Sequence, residues 1–107
     1  DKLNFLREGA NLTFEKAEDH KFRALRLAYE AGEKGGTYPV VLNGANEMLV
    51  QLFLEKKIKF MDITKGLERI MNFHVPRYDL GLEDILEADE EARREALELF
   101  GGVNRRG

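Results

Sequence analysis

Apolar residues recur at intervals of three and four along most of this chain, which is the spacing of one face of an α-helix. We therefore predict an all-α fold, a small bundle of about four mostly antiparallel helices with an extended N-terminal arm. The predicted helices run from about Glu18 to Lys34, from Pro39 or Val40 to about Lys57, from Ile63 to Asn72, and from Glu90 to Phe100 after a short helical turn at Leu82–Leu86.

Each predicted helix carries a stripe of apolar side chains that we expect to face the core. The stripes are Phe22, Leu25, Leu27, Ala28 and Tyr29; Val41, Ala45, Met48, Leu49, Leu52 and Phe53; Ile63, Leu67, Ile70 and Met71; and Ala92, Ala96, Leu97 and Phe100. Val50 and Leu54 widen the second stripe, so we expect the second helix to be the most buried.

Capping and breaking residues set the predicted helix ends. Gly35 and Gly36 stop the first helix, because glycine tolerates the left-handed conformation of a C-cap. Pro39 suits a first helical position, and Asp62 and Asp89 are the predicted N-caps of the third and last helices. The third helix should end before Pro76.

These elements divide the chain into three parts. Residues 1–16 have no helical period, and we predict an extended arm or linker there, with Leu12–Glu15 as a possible short strand. Residues 17–102 form the bundle, and residues 103–107 a frayed tail. Because the sequence starts at Asp1 rather than methionine, we expect a processed, truncated or expressed fragment. The oligomeric state is left open.

Composition narrows the classes of function. Of the 107 residues, 43% are hydrophobic, which allows a core, and 35% are charged with a net charge of −3, which argues against a nucleic-acid partner. Cysteine is absent, so neither a disulfide nor a thiolate metal site is expected. No apolar run approaches a membrane span and no signal peptide is recognisable, so we expect no membrane association.

A few polar residues could carry chemistry. His20 could act with Asp19, but residues one apart do not share a helix face, and we favour a solvated helix start. His74 precedes Val75-Pro76, where a role at the helix C-terminus is favoured over a ligand role. Asn43, Asn46 and Glu47 could bind a ligand, but a structural role is favoured because buried amides normally find backbone partners.

One run of residues carries a specific resemblance. Leu42-Asn43-Gly44-Ala45-Asn46-Glu47 follows the helix stop at Gly35-Gly36, and it resembles the LNAANE signature of 1-deoxy-D-xylulose 5-phosphate reductoisomerases, with Gly44 where alanine is usual. Other matching segments occur in the same order as in that family. They are Leu12–Glu15, Leu25–Gly32, Phe53-Leu54, Ile58, Phe60 and Asp62-Ile63.

The resemblance implies a place within a larger enzyme of the non-mevalonate isoprenoid pathway. In that family an N-terminal Rossmann-type domain binds NADPH, and a central domain holds the divalent metal, the substrate and a catalytic lid. The C-terminal helical bundle, which this chain resembles, braces the architecture. We therefore expect no catalytic, cofactor-binding or metal-binding residue in this chain, and a cytoplasmic, bacterial parent whose N-terminal and central domains are the partners.

One window departs from the family pattern. Prolines usual in the family are replaced by Ala17 and Arg23, and Glu18, Asp19 and His20 lie between them. Because alanine, glutamate and arginine are good helix formers, we predict that the first helix begins one to two turns earlier than in the family. These five residues are our candidate altered or partner-binding surface.

Two hypotheses follow for function. In the first, the chain is the linker and non-catalytic C-terminal bundle of a reductoisomerase. In the second, it is an excised and engineered scaffold that binds a designed partner or itself through the altered window. The two differ in whether the surface of that window is buried against another chain. The sequence offers no support for a free-standing enzyme.

Overall fold

Four helices form an all-α bundle, as predicted, in a computed structural model that describes residues 14–102. The helices are α1 (Phe14–Lys34), α2 (Tyr38–Leu54), α3 (Phe60–Phe73) and α4 (Leu82–Leu97), and a π-helical turn, Glu98–Gly102, continues α4. Most of the predicted arm, residues 1–13, and the predicted tail, residues 103–107, lie outside the described residues.

The helix α2 is the centre of the bundle, and its inner face packs against all three other helices. Ala45 and Leu49 have no solvent-exposed surface, and Val41 and Leu52 are almost as buried. Met48 and Phe53 pack against the edge of this core. The predicted stripe is thus confirmed for its central residues, but Leu54, predicted to widen it, is 64% exposed. The expectation that this helix is the most buried is not met, since α3 has six buried residues and α2 has five.

Small residues allow α4 to lie close along α2. Its buried side chains are Ala88, Ala92 and Ala96, which follow one another at intervals of four. Leu97, predicted to face inward, is instead exposed, while Phe100 packs against the core from the π-helical turn. The close approach explains this, since a stripe of alanines leaves no room for a leucine beside it.

The start of α1 and its buried face both differ from prediction. The helix begins at Phe14, four residues before the predicted start, so residues 14–16 of the predicted arm are helical. The buried side chains are Leu27 and Ala31, whereas Phe22, Leu25 and Tyr29 are 65%, 62% and 69% exposed. Ala28, also predicted to face the core, is exposed. The larger apolar side chains thus point away from the bundle.

Two predicted N-caps lie inside helices. Asp62 is the third residue of α3, where its carboxylate accepts a hydrogen bond from the Lys59 backbone N–H at 2.9 Å. Asp84 does the same for Gly81 at 3.0 Å, and α4 therefore begins at Leu82 and runs unbroken through Asp89. An acidic residue at the third position thus satisfies the backbone N–H of the N-cap residue, as in a capping box.

The end of α2 also differs, because the helix stops at Leu54 rather than near Lys57. Lys56 adopts a left-handed conformation, with φ of 65°. The Lys56 N–H donates to the Phe53 carbonyl, and the Lys57 N–H donates to the Leu52 carbonyl, both at 2.9 Å. This is a Schellman ending with lysine where glycine is usual, so no glycine marked it in the sequence.

Gly44 lies where α4 crosses α2 most closely. A Cβ atom on Gly44 would lie 2.6 Å from Asp89 Oδ1 and 3.1 Å from the Asp89 backbone oxygen. Gly32, on α1, has nothing within 4 Å of the corresponding position. Alanine is favoured over glycine in a helix by about 1 kcal/mol. Replacing Gly32 by alanine should therefore show the effect of helix propensity alone, whereas the same change at Gly44 adds the effect of packing.

We predict that Gly32→Ala stabilises the chain by about 0.5–1 kcal/mol, while Gly44→Ala loses that gain and destabilises it through overpacking. In an Asp89→Ala background, Gly44→Ala should cost on the order of 0.5–1 kcal/mol less, because the nearest clashing atom is gone. Urea unfolding of the four variants and the parent measures this. Equal gains for Gly32→Ala and Gly44→Ala would contradict the close contact.

Candidate functional site

The five residues of the candidate altered surface do not share one face of α1. His20 and Arg23 point towards α3 and are partly buried, whereas Glu18 and Asp19 are exposed and Ala17 is intermediate. Two of the five residues therefore help to hold the bundle together. Glu18 and Asp19 are the two exposed members, and the Asp19 carboxylate also pairs with Arg23 at 3.3 Å.

His20 joins α1 to α3 rather than being solvated, so that prediction was wrong. Its Nδ1 atom is hydrogen-bonded to the hydroxyl of Thr64, which is completely buried, and its ring lies 4.3 Å from the ring of Phe60. Burial lowers the pKa of His20 below its ordinary value, and Arg23 adds to this while Asp19 opposes it. The earlier start of α1 brings His20 into the second helical turn, where it reaches α3.

Arg23 forms the ionic half of the same junction. Its guanidinium donates two hydrogen bonds to the Glu68 carboxylate, one of them at 3.0 Å from Nε, and a third to Asp19 at 3.3 Å. A two-pronged arginine–carboxylate pair fixes orientation as well as distance. Together with His20 and Thr64, this pair sets how α1 lies on α3.

A second histidine–threonine contact joins the α1–α2 connection to the end of α3. Thr37 is completely buried between α1 and α2, and its hydroxyl lies 2.6 Å from Nε2 of His74. The hydroxyl also accepts a hydrogen bond from the Arg77 N–H at 3.0 Å, and the Thr37 N–H donates to the Arg77 carbonyl at 3.0 Å. Burial lowers the pKa of His74, with Arg77 adding to the effect and Glu91 opposing it.

His74 occupies the C-cap position of α3, in agreement with its predicted place, but its ring binds Thr37 rather than the end of its own helix. Sequence reasoning missed Thr37 and Thr64, because an isolated threonine carries no spacing signal. The Gly35-Gly36 pair before Thr37 was the nearest available clue. Both glycines have positive φ values, 68° and 58°.

The signature segment is divided between the core and the surface. Gly44 and Ala45 are buried against the core, while Asn43, Asn46 and Glu47 are exposed. Glu47 accepts a hydrogen bond from Arg93 of α4 at 2.6 Å. The two asparagines are therefore surface groups, not buried amides that cap the backbone.

Two arginines carry ion pairs between elements of the bundle. Arg93 pairs with Glu47 and with Asp89, and Arg77 pairs with Glu87 at 2.8 Å. These contacts tie α4 to α2 and to the loop before it.

A shallow groove of about 240 Å³ lies between α3 and the end of α4, and it is lined by Arg69, Ile70, Phe73, Glu95, Glu98 and Leu99. Burial raises the pKa of Glu95, and its acidic neighbours Glu91 and Glu98 add to this. Within residues 14–102, no three histidine or acidic side chains are arranged to hold a metal ion, and no helix is long and apolar enough to cross a membrane.

Comparison with known proteins identifies the family. Residues 1–95 match the DXP reductoisomerase C-terminal domain. The chain is 48% identical over 99 residues to the 1-deoxy-D-xylulose 5-phosphate reductoisomerase of a Synechococcus strain, and 49% identical over 96 residues to that of Halothermothrix orenii. These alignments cover 92% and 90% of this chain but 25% of each relative.

A solved structure gives the same result. The reductoisomerase of Zymomonas mobilis in complex with NADPH superposes with a TM-score of 0.67 at 43% identity, over 71% of this chain and 20% of that one. This chain belongs to the DXP reductoisomerase C-terminal domain family, and it spans about a quarter of the length of the curated relatives.

We predict that Thr37→Val destabilises the chain by about 1–3 kcal/mol, because it leaves the Arg77 N–H and His74 without their buried partner while preserving shape. Thr64→Val is the matched comparison, since Thr64 is equally buried but makes one described side-chain bond, to His20. Thr64→Val should lower the free energy of unfolding by less than Thr37→Val does. Chemical denaturation measures both values, and a larger decrease for Thr64→Val would argue against the Thr37 junction as the stronger constraint.

We also predict that stability falls as pH decreases from about 7 to 5.5. His20 and His74 both have a pKa that is lowered in the folded state. Such a histidine contributes its full share of stability above its unfolded pKa of about 6.5, and that share is lost as pH falls through the folded pKa. Unfolding midpoints of His20→Gln, His74→Gln and the double variant test this. The stability of the double variant should change little with pH over this range. If its stability falls with pH as steeply as that of the parent chain, the effect belongs to carboxylates instead.

Proposed function

We propose that this member of the family is a non-catalytic helical domain that braces the catalytic and cofactor-binding parts of a reductoisomerase in isoprenoid synthesis. The observation that carries the proposal is the pair of opposed apolar faces on α1. Leu27 and Ala31 face the bundle, while Phe22, Leu25 and Tyr29 are exposed. A helix that is apolar on both faces is typical of an element placed between two packed bodies.

The proposal assigns the remaining chemistry to other parts of the parent enzyme. The relatives are about four times as long as the segment they share with this chain. The NADPH named with the Zymomonas mobilis structure, the divalent metal and the substrate would bind to the preceding N-terminal and central domains. The proposed parent is a cytoplasmic bacterial enzyme, and those two domains are the partners of this chain.

A chimaera tests the bracing role. The Synechococcus relative would be prepared complete, without its C-terminal quarter, and with that quarter replaced by this chain, which is 48% identical to it. We expect the truncated enzyme to lose NADPH-dependent turnover and the chimaera to recover a measurable part of it, because the two C-terminal segments are 48% identical.

The control replaces the same quarter with an unrelated four-helix bundle of similar size, which should leave the enzyme inactive. A chimaera that folds, as judged by circular dichroism and cooperative melting, but stays as inactive as the truncated enzyme would contradict the bracing role. Full activity of the truncated enzyme would also contradict it.

The same exposed face supports a second candidate, an excised and engineered scaffold that binds a designed partner or itself. The altered window offers such a scaffold the exposed Glu18 and Asp19, since His20 and Arg23 are used inside the bundle. Light scattering of this chain over a range of concentrations distinguishes self-association from the first proposal. A dimer throughout would favour the scaffold.

A further inference from the structure

We infer that one face of α1, made of Phe22, Leu25 and Tyr29 and here called the outer face, is the surface that packs against the preceding part of the same polypeptide in the complete enzyme. The inference rests on the proposed function and adds the contact surface to it. It also states the chemistry of the partner, which is an apolar patch whose rim carries charges of both signs.

The geometry of α1 separates this face from the bundle. Phe22, Leu25 and Tyr29 follow one another at intervals of three and four, so they line one side of the helix. At about 100° per residue, Leu27 and Ala31 lie on the order of 180° away, on the side that contacts α2 and α3. The exposure of the outer face is therefore a consequence of how α1 is docked, and a rotation that buried it would expose Leu27.

The docking of α1 is firmly specified, so this rotation is not available. His20 is bonded to the buried Thr64, and Arg23 is paired with Glu68. Both contacts lie on the same side as Leu27 and would be lost together. Three large exposed apolar side chains in one row on a helix fixed in this way indicate a contact surface rather than a misplaced core.

The rim of the outer face carries charges of both signs. Exposed carboxylates lie at both ends of the row, at Glu18 and Glu33, and exposed cations lie along its flanks, at Lys21 and Arg26. A partner patch that is apolar at its centre and carries charges of both signs at its rim would complement this face.

The area of the outer face argues for a covalently joined partner over a second copy. Phe22 and Tyr29 are aromatic side chains of roughly 150–250 Å² each and Leu25 is smaller, so the three, about two-thirds exposed, offer on the order of 350 Å² per copy. A pair of copies would bury about 700 Å² through them, below the roughly 1,200 Å² of a stable interface. A tethered partner has an effective concentration on the order of millimolar, for which a small apolar contact is sufficient.

The direction of the chain joins that partner to α1. This chain matches a C-terminal domain, so the other domains of the relatives precede it. The preceding part is therefore linked, through residues 1–13, to the N-terminal end of α1, the helix that carries the outer face. The second group of exposed apolar residues, around Val75 and Tyr78, lies in the connection between α3 and α4.

Tyrosine nitration tests the inference without relying on activity. Tyr29 and Tyr78 are 69% and 62% exposed, so both should react with tetranitromethane at similar rates in the isolated chain. In the folded chimaera with the Synechococcus N-terminal portion, we expect nitration of Tyr29, followed by mass spectrometry of its peptide, to slow by about tenfold, because interface cores exclude reagent and water.

Two outcomes would overturn the inference. One is a Tyr29 that reacts equally fast in the isolated chain and in a folded chimaera. The other is an isolated chain that dimerises and already protects Tyr29, which would assign the outer face to a second copy. An inactive chimaera that nevertheless protects Tyr29 would contradict the bracing function while supporting the contact, so the two proposals fail separately.

A surface variant gives an independent readout. Phe22→Ser, Leu25→Ser and Tyr29→Ser together should leave the melting temperature of the isolated chain nearly unchanged, because all three side chains are exposed. In the chimaera they should lower the melting temperature and the turnover. The control replaces three other exposed apolar residues, Val75, Leu82 and Leu86, by serine. Equal effects of the two triple variants would contradict a specific role for the outer face.

Discussion

The buried hydroxyl of Thr37 is the constraint on which the arrangement of the helices depends. It lies between α1 and α2, and it binds both His74, at the end of α3, and the backbone of Arg77, in the connection to α4. One side chain thus fixes two helix connections to each other. Because buried polar groups must be paired, any shift of either connection would leave a buried donor or acceptor unsatisfied.

The two glycines before Thr37 make this junction possible. A Cβ atom on Gly36 would lie 2.6 Å from the Arg77 carbonyl oxygen and 2.7 Å from the Tyr78 ring. Its positive φ also directs the chain back towards the α3–α4 connection. With that end of the bundle fixed, the alanine stripe of α4 lies along α2, and Arg93 joins the two helices through Glu47.

The sequence allowed the fold to be predicted more fully than the surface. The wide stripe of α2 and the glycine stop after α1 are strong local signals, and the order of the helices and the buried face of α2 followed from them. The face of α1 did not, because an apolar row at helical spacing looks the same whether it contacts its own core or another body. Phe22, Leu25 and Tyr29 were therefore assigned to the core, and only the packing of Leu27 and Ala31 reveals two faces. The histidine–threonine pairs were missed for a related reason, since His20 and Thr64 are 44 residues apart.

The departures from the family pattern acquire a physical meaning from the same helix. Proline at position 23 could not supply the guanidinium that binds Glu68, and proline at position 17 would disfavour a helical conformation at the residue before it. Ala17 and Arg23 instead allow an unbroken helix from Phe14 to Lys34. The inward side of this segment gains two contacts with α3, through His20 and Arg23, and the outward side continues the row of Phe22, Leu25 and Tyr29 by one turn to Glu18. The residues that attach α1 to its own bundle therefore also hold the outer face in a fixed orientation, as the proposed contact with a neighbouring domain requires.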